Sequence, residues 1–458
     1  MTKYFTLRAG KSTPIIPLSA TQFPGWLKKQ SAFVRQWFAT NHYTHRVDSM
    51  VVVPDSKGGI ACAMVGVDAA IHLWSIAHLP ALLPAGTYHI EGDFTPEQHA
   101  ELALGFALGQ YQFTVYKVLE RKAITLALPK TVKHEPIERR IAAITLVRDL
   151  INTAPQEMGP EALAHAAQAV AKAHGAKFEQ IVGDALLKKN YPAIHAVGRA
   201  APQAPRLIRL QWGNPKHKRV ALVGKGVTFD TGGLDLKPLA GMRLMKKDMG
   251  GAALVLGLAQ LIMQEKLPVY LDVLIPAVEN SIDGHSFRPS DIVPTRKGLT
   301  IEIGSTDAEG RVILADALAE ADAAKPDLII DVATLTGAAR TALGAELPAL
   351  YANRDAVAQE IQQAGMRVRD PLWHMPLWQG YAKYVNSPVA DITNSPNYSM
   401  AGSVTAALFL ERFVSPETPW VHIDSYAWNA EAQPGRPVGG EALCLRALYT
   451  YLQERYAR

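Results

Sequence analysis

At 458 residues the chain is too long for one ordinary hydrophobic core, so two domains are expected. With 48% hydrophobic and 19% charged residues it can bury a large interior, which excludes long disordered tails, and a net charge of +5 does not by itself define a nucleic-acid binder. Its two cysteines, Cys62 and Cys444, exclude a disulfide framework and a thiolate-rich zinc site.

Residues 1–5 lack the apolar core of a signal peptide, and no apolar run is long enough to span a bilayer. A soluble cytoplasmic protein with no membrane partner is therefore expected. Up to residue 131, short apolar runs alternate with turns. Residues 49–53 and 60–67 predict strands, and residues 96–110 predict a helix with Thr95 as its N-cap. A small N-terminal α/β domain over 1–131, without a catalytic constellation, is expected.

A helix over residues 136–150, with Ile137, Ile141, Ile144 and Leu150 among its apolar positions, is expected to serve as a linker over 132–150. Asn152-Thr153-Ala154-Pro155 breaks the pattern, and residues 161–174 resume a helix. Apolar strand runs follow at 220–223, 269–275, 299–303, 328–332 and 420–423, with helices over 251–264 and 312–324. This alternation predicts an α/β catalytic domain over 151–458, with a mostly parallel mixed sheet flanked by helices. In such sheets ligands bind at the carboxyl ends of the strands.

The polar residues at those ends are unusual. The run after Val223 reads Gly224-Lys225-Gly226-Val227-Thr228-Phe229-Asp230-Thr231-Gly232-Gly233, and its glycines allow a tight turn and close backbone approach. Lys225 and Asp230 fall where a site is expected; a solvated strand-end lysine and an Asx-turn are the bland alternatives. A phosphate loop is rejected, because Gly226 rather than Ser or Thr follows the lysine. Asp248 stands ahead of an apolar helix, where capping is the alternative role.

Residues 303–311 set Asp307, Glu309 and Arg311 at alternate positions, which in an extended segment would point to one side. Carboxylates that close repel unless positive charge lies between them. Asp230, Asp248, Asp307 and Glu309 together can hold two divalent cations, which in such centres sit roughly 3.5–4 Å apart. Oxygen donors suit magnesium and manganese, and zinc also accepts carboxylate. The fourteen histidines are scattered without a metal-binding pair, and His422 reads as structural.

Taken together these residues resemble the leucyl aminopeptidase family of two-metal exopeptidases. The family signature Asn-Thr-Asp-Ala-Glu-Gly-Arg-Leu stands here as residues 305–312. Gly224-Lys225-Gly226, Phe229-Asp230, Gly232-Gly233, Lys237-Pro238 and Asp248-Met249-Gly250-Gly251 follow the upstream family block in order and spacing. The resemblance covers residues 150–458 well and the N-terminal domain poorly.

The resemblance implies that Lys225, Asp230, Asp248 and Glu309 hold a tighter metal, and that Asp230, Asp307 and Glu309 hold a more exchangeable one. The implied cofactors are two divalent ions, manganese or zinc with magnesium or cobalt as substitutes, and bicarbonate. Lys237 would bind the substrate carbonyl oxygen. Arg311, with Leu335 beside it, would hold bicarbonate as general base. Met245, Thr334 and Gly337 would line the side-chain pocket, which suits Leu, Met and other apolar residues. Implied partners are peptides with a free N-terminus and five further copies of the chain in a homohexamer.

Lysine coordinates a metal only as the neutral amine, against an ordinary pKa of about 10.4, so Lys225 must surrender a proton while Lys237 keeps one to meet an oxyanion. Three positions depart from the family: Ser305 for Asn, Val312 for Leu, and the bulkier Ser425-Tyr426-Ala427-Trp428 at the far end of the pocket. The alternatives are an added DNA-binding role, for which residues 1–130 offer no strong basic run, and two-metal hydrolysis of another bond, against which Lys225 and Arg311 argue.

Overall fold

The structure is a computed structural model that describes residues 4–7, 11–118, 120 and 122–457. The chain forms two compact units, one running to Ala142 and including Glu431–Val438, the other comprising Ala143–Ala430 and the residues from Gly439 onward. The change-over falls inside the helix Glu135–Asn152, which is longer than the expected linker helix by a residue or two at each end.

The first unit is built on a six-stranded sheet in the order Phe5–Leu7, Ile124–Leu128, Gly86–Ile90, Thr13–Leu18, Ile60–Gly66, Met50–Pro54. All neighbours are parallel except the last pair, the two strands anticipated from the sequence, which run antiparallel. Thr95 caps the helix Pro96–Leu108 as expected, in a reciprocal box with Gln98 that satisfies two otherwise orphaned N–H donors. A satellite core gathers Phe38, Leu18, Val53 and Met64 with Phe23, Trp26 and Tyr43 against them.

In the second unit the sheet order is Trp373–His374, Ala349–Ala352, Trp420–Asp424, Leu328–Ala333, Lys218–Gly224, Val269–Asn280, Arg206–Trp212, Lys177–Val182. The four central strands, Trp420–Asp424 to Val269–Asn280, are mutually parallel, and antiparallel pairs extend the sheet on both sides. Every residue of Leu328–Ala333 is buried. That is why the central strands read as unbroken apolar runs: a parallel sheet covered on both faces has no polar side to present. The helices Gly250–Gln264 and Glu309–Ala323 are buried along most of their length.

Three local expectations are corrected. The strand run at 299–303 does not join the large sheet: Thr300–Glu302 lies in a three-stranded sheet with Ile292–Pro294 and Ile392–Thr393. Asp391 holds it there by accepting from the Thr300 N–H and hydroxyl, each at 2.8 Å. The glycine-rich run after Lys225 is not a loop. Gly226–Asp230 is a short strand that pairs in parallel with the end of Val269–Asn280, with a register irregularity between Val227 and Asp230. The chain changes neighbours at Lys225, whose N–H still bonds to Val332 O at 3.0 Å.

The third correction concerns residues 305–311, which are not extended. Thr306–Ala308 forms a 3₁₀ turn, and Glu309 opens the helix that contains Arg311. Asp307, Glu309 and Arg311 therefore do not share a face by alternation. The turn is built by Ser305, whose side chain accepts from Asp307 N at 3.1 Å, and by Asn394, which accepts from Gly304 N at 2.8 Å and donates to Ser305 O at 2.7 Å and Ala308 O at 3.2 Å. Ser305 thus serves as an N-cap in place of the expected Asn.

Candidate active site

Three segments deliver side chains to one cluster at the carboxyl ends of the central strands, buried except at Asp307. Lys225 follows Lys218–Gly224, Asp230 ends Gly226–Asp230, and Asp248 lies in the 3₁₀ turn Met245–Met249 ahead of the buried helix. Asp307 and Glu309 come from the turn and helix just described. The oxygens of Asp230, Asp307 and Glu309 lie within 4.8 Å of one another. Lys225 Nζ is 2.7 Å from Asp248 Oδ2 and 2.9 Å from Glu309 Oε1, and donates to Thr334 O at 3.2 Å. Lys237 Nζ lies 2.8 Å from Asp230 Oδ2 and also contacts Asp307. All five residues expected to be metal ligands, and the expected oxyanion lysine, are thus gathered in one place.

The cluster fits close packing around Lys225. A Cβ on Gly310 would fall 2.4 Å from Lys225 Cε and 2.6 Å from its Nζ, and a Cβ on Gly251 would fall 2.1 Å from Val332 O. Neither glycine has a positive φ, so each is needed for space rather than for turn conformation. Behind the acids, Asn280 Nδ2 donates to Asp230 Oδ1 at 2.8 Å and to Thr306 O at 3.1 Å, and Thr334 Oγ1 donates to Asp248 Oδ1 at 2.8 Å. Asn280 and Asn394 were not anticipated; each is a polar residue in an otherwise ordinary run, and nothing in its spacing marks it, whereas Thr306 lies within the signature run but was given no role.

Four carboxylates face two ammonium groups, so the cluster is anionic. Burial, with Asp230 beside it, pushes the Glu309 carboxyl up to about 8. The same two causes push Asp307 up to about 6. Burial alone would strip the proton from Lys225, but Asp248, Glu309 and Asp230 outweigh it and hold the ammonium above its ordinary value. Asp248 Oδ2 and Glu309 Oε1 are buried at ion-pair distance from Lys225 and have no partner beyond that amine. Orphaned buried oxygens around an anionic centre are what a divalent cation requires, and one amine with four carboxylates is a donor set such ions accept.

Arg311 lies below this cluster in the helix. Nη1 donates to Asn394 O at 2.6 Å, while Nε is buried without a partner. Burial lowers the guanidinium to about 10, against the opposing pull of Glu309 and Asp424. Leu335, grouped with it from the resemblance, has its N–H bonded to Asp424 Oδ1 at 2.9 Å.

A cleft of about 300 Å³ opens beside the acids and contains Met245, Thr334, Leu335 and Gly337. Lys247, Arg340 and Tyr426 line the cleft as well, so charged side chains stand beside the expected apolar wall. Burial lowers the Lys247 ammonium to about 8. Trp428 packs elsewhere: Trp428–Asn429 pairs with Gly439–Gly440, and the Lys246 ammonium sits 5.5 Å from the Trp428 ring centroid.

A parallel sheet that presents an amine and four carboxylates at its strand ends defines the class of metal-dependent α/β hydrolases. Residues 145–449 match the catalytic domain of the cytosol aminopeptidase family, and residues 13–129 match the N-terminal domain of M17 aminopeptidases, so the likeness also extends over the first unit. The chain belongs to the cytosol aminopeptidase family, and so to the metal-dependent aminopeptidases, hydrolases that act on peptides.

A cytosol aminopeptidase crystal structure from Coxiella burnetii is 47% identical, with a TM-score of 0.96 over 99% of each chain. The bottromycin maturation enzyme BotP in complex with Mn is 31% identical, with a TM-score of 0.86 over 97% of this chain and 99% of that one. A probable cytosol aminopeptidase of Geobacter sp. (strain M21) is 37% identical over 79% of this chain and 76% of its own length. One from Syntrophotalea carbinolica is 43% identical over 68% of this chain, a match that spans 63% of that relative. Among the described residues no helix is long and apolar enough to cross a membrane.

Proposed function

We propose that this chain removes single residues from the free N-termini of peptides, using two divalent ions held by its buried acidic cluster. The observation that carries the reading is the donor set itself: Lys225 paired with Asp248 and Glu309, and Glu309 within 4.8 Å of Asp230 and Asp307, with two buried oxygens that have no partner beyond the amine. Lys225, Asp230, Asp248 and Glu309 would hold one ion, and Asp230, Asp307 and Glu309 the other. Bound there, such ions supply Lewis acidity and a hydrolytic nucleophile at neutral pH. Manganese or zinc is the proposed metal, with magnesium and cobalt as substitutes; the manganese complex of BotP supports manganese.

The chain's own residues do the rest. A dication would take over the carboxylates that pair with Lys225 and Lys237 and would need Lys225 as the neutral amine, so metal uptake releases the Lys225 proton while Lys237 keeps its own. Lys237, freed from Asp230 and Asp307, meets the carbonyl oxygen of the first peptide bond as negative charge develops on it. The free α-amine of the peptide, as the neutral base, would be held at the metal end of the cleft, which fixes the cut at the first bond. Arg311, with its unpartnered Nε, would hold a bicarbonate ion that supplies a base. Met245, Thr334 and Gly337 receive the first side chain, and the methionine wall favours Leu and Met. The two unpaired buried cysteines support a cytoplasmic site of action, and the half-exposed Trp373 and Trp378 support assembly, for which a homohexamer is proposed.

The test is a chelated sample assayed on Leu-p-nitroanilide and on its N-acetylated form. Chelation should abolish hydrolysis of the free-amine substrate, and manganese or zinc should restore it, while the blocked substrate stays intact throughout. Hydrolysis of the blocked form, or no hydrolysis under any of the four metals, would overturn the reading.

A further inference from the structure

We propose that Arg340 and Lys247, gathered around Tyr426, form a carboxylate-recognition subsite that makes this chain favour peptides beginning with glutamate over those beginning with glutamine. The inference rests on the aminopeptidase reading above and specifies the class of first residue. Arg340, Lys247 and Tyr426 line the same cleft as Asp230, Asp248 and Met245. The Arg340 guanidinium carbon and the Lys247 Nζ each lie 4.9 Å from the centroid of the Tyr426 ring, a distance at which an aromatic face attracts and orients a cation. Tyr426 belongs to the segment in which the sequence departs from the family.

Arg340 stands exposed at the cleft, and Lys247 has one long carboxylate contact, to an acid of the metal cluster. Among the described residues Arg340 has no ion pair, and its side chain donates no hydrogen bond. Lys247 is 5% exposed; its nearest carboxylate contact is Asp248 Oδ1 at 3.9 Å, and its Nζ donates no hydrogen bond. A buried ammonium left in that state is costly, and an anionic ligand relieves it. One other carboxylate in the cleft could serve instead, that of Asp424, but it is turned into its own loop. Its Oδ1 accepts from Leu335 N at 2.9 Å and Thr336 N at 3.2 Å, and its Oδ2 accepts from Thr336 Oγ1 at 2.6 Å. The acids of the metal cluster are committed to cations.

A first residue whose methylenes run along Met245 and Leu335, and whose tip is anionic, therefore finds complementary surface at both ends of its side chain. Glutamine has the same shape and lacks the charge. A charge-assisted contact to the exposed Arg340 and the buried Lys247 separates the two, whereas apolar contacts cannot. Leucine remains a substrate, since the apolar wall is intact.

The experiment measures kcat/KM of the metal-loaded enzyme on Glu-, Gln- and Leu-p-nitroanilide at low and high salt. The expected Glu-to-Gln ratio is about tenfold at low salt, falling as salt screens the contact while the Leu-to-Gln ratio holds. Arg340→Met should bring the Glu-to-Gln ratio to about one, mainly through KM, and Arg340→Lys should keep part of it. Tyr426→Leu, which leaves both charges but removes the ring that orients them, should give an intermediate ratio. A wild-type ratio at or below one, or a ratio unmoved by Arg340→Met, overturns the subsite while Leu turnover leaves the aminopeptidase reading standing. Failure to cleave all three substrates overturns that reading and the subsite with it.

Discussion

Asp331 and Glu309 are both buried carboxylates of the second unit, and the protein treats them in opposite ways. Asp331 has each oxygen satisfied, one by Trp420 Nε1 at 2.6 Å and the other by His422 Nδ1 at 2.5 Å. Asp370 is similar, accepting from the backbone N–H groups of Cys444, Arg446 and Ala447 at 2.8–3.2 Å. In the metal cluster, Glu309 Oε1 and Asp248 Oδ2 have no partner beyond the Lys225 amine, and burial, with Asp230 beside them, raises the carboxyl groups of Glu309 and Asp307. A buried charge that serves the fold is fully bonded within the chain; one kept for a ligand is left incomplete. Burial alone does not separate Asp331 from Glu309, but the partners of each oxygen do; Asp230, bonded through Asn280 and paired with Lys237, stands between them.

That contrast can be broken by exchanging the acids for amides. Asp331→Asn takes the charge partner from a buried imidazole and should lower unfolding free energy by about 3–5 kcal/mol in denaturant titrations. Asp248→Asn leaves the buried Lys225 paired with Glu309 at 2.9 Å, and its remaining oxygen can still accept from Thr334. In chelated protein it should cost far less than Asp331→Asn, while bound metal measured by atomic absorption falls. Equal losses of stability for the two variants would erase the distinction. Gly310→Ala sharpens it from the packing side: the new Cβ displaces Lys225, and metal affinity should drop by about 10–100-fold, as when a supporting contact of a metal ligand is lost. Unchanged affinity would show that Lys225 is free to move aside.

The legibility of the chain follows the same division. The central strands, the buried helices and the Thr95 cap could be read directly, because they rest on local periodicity and local bonding. Lys225, Lys237 and the four acids could be read because glycine-rich spacing and the resemblance marked them. What could not be read depends on distant partners. The 305–311 turn is set by Asn394, more than eighty residues away along the chain. The strand Gly226–Asp230 exists because Val269–Asn280 runs six residues past its pairing with Lys218–Gly224 and offers a free edge. Tyr426 was marked as a departure, but its two cations were not, since one comes from the turn before the buried helix and the other from the helix Gly337–Leu343.

The smallest expected effect concerns the pH dependence of the bonded cluster. Burial alone would lower the His422 pKa, but Asp331 beside it outweighs that and raises it above the ordinary histidine value. The ring also lies near Tyr351 and Trp420, at centroid distances of 6.0 and 6.3 Å, which keeps water from replacing the partner. The folded state therefore holds this proton more tightly than the unfolded state does. Its stabilising contribution is complete below the unfolded value of about 6.5 and is lost as pH rises through the raised folded value, each unit of elevation weighing about 1.4 kcal/mol. In urea titrations from pH 5 to 9, the stability difference between wild type and His422→Phe should shrink as pH increases beyond 6.5. Because this pair owes nothing to the metal ligands, chelation should leave the difference unaltered. A difference that grows with pH, or that vanishes on chelation, would place His422 with the acids of the cleft instead of with the fold.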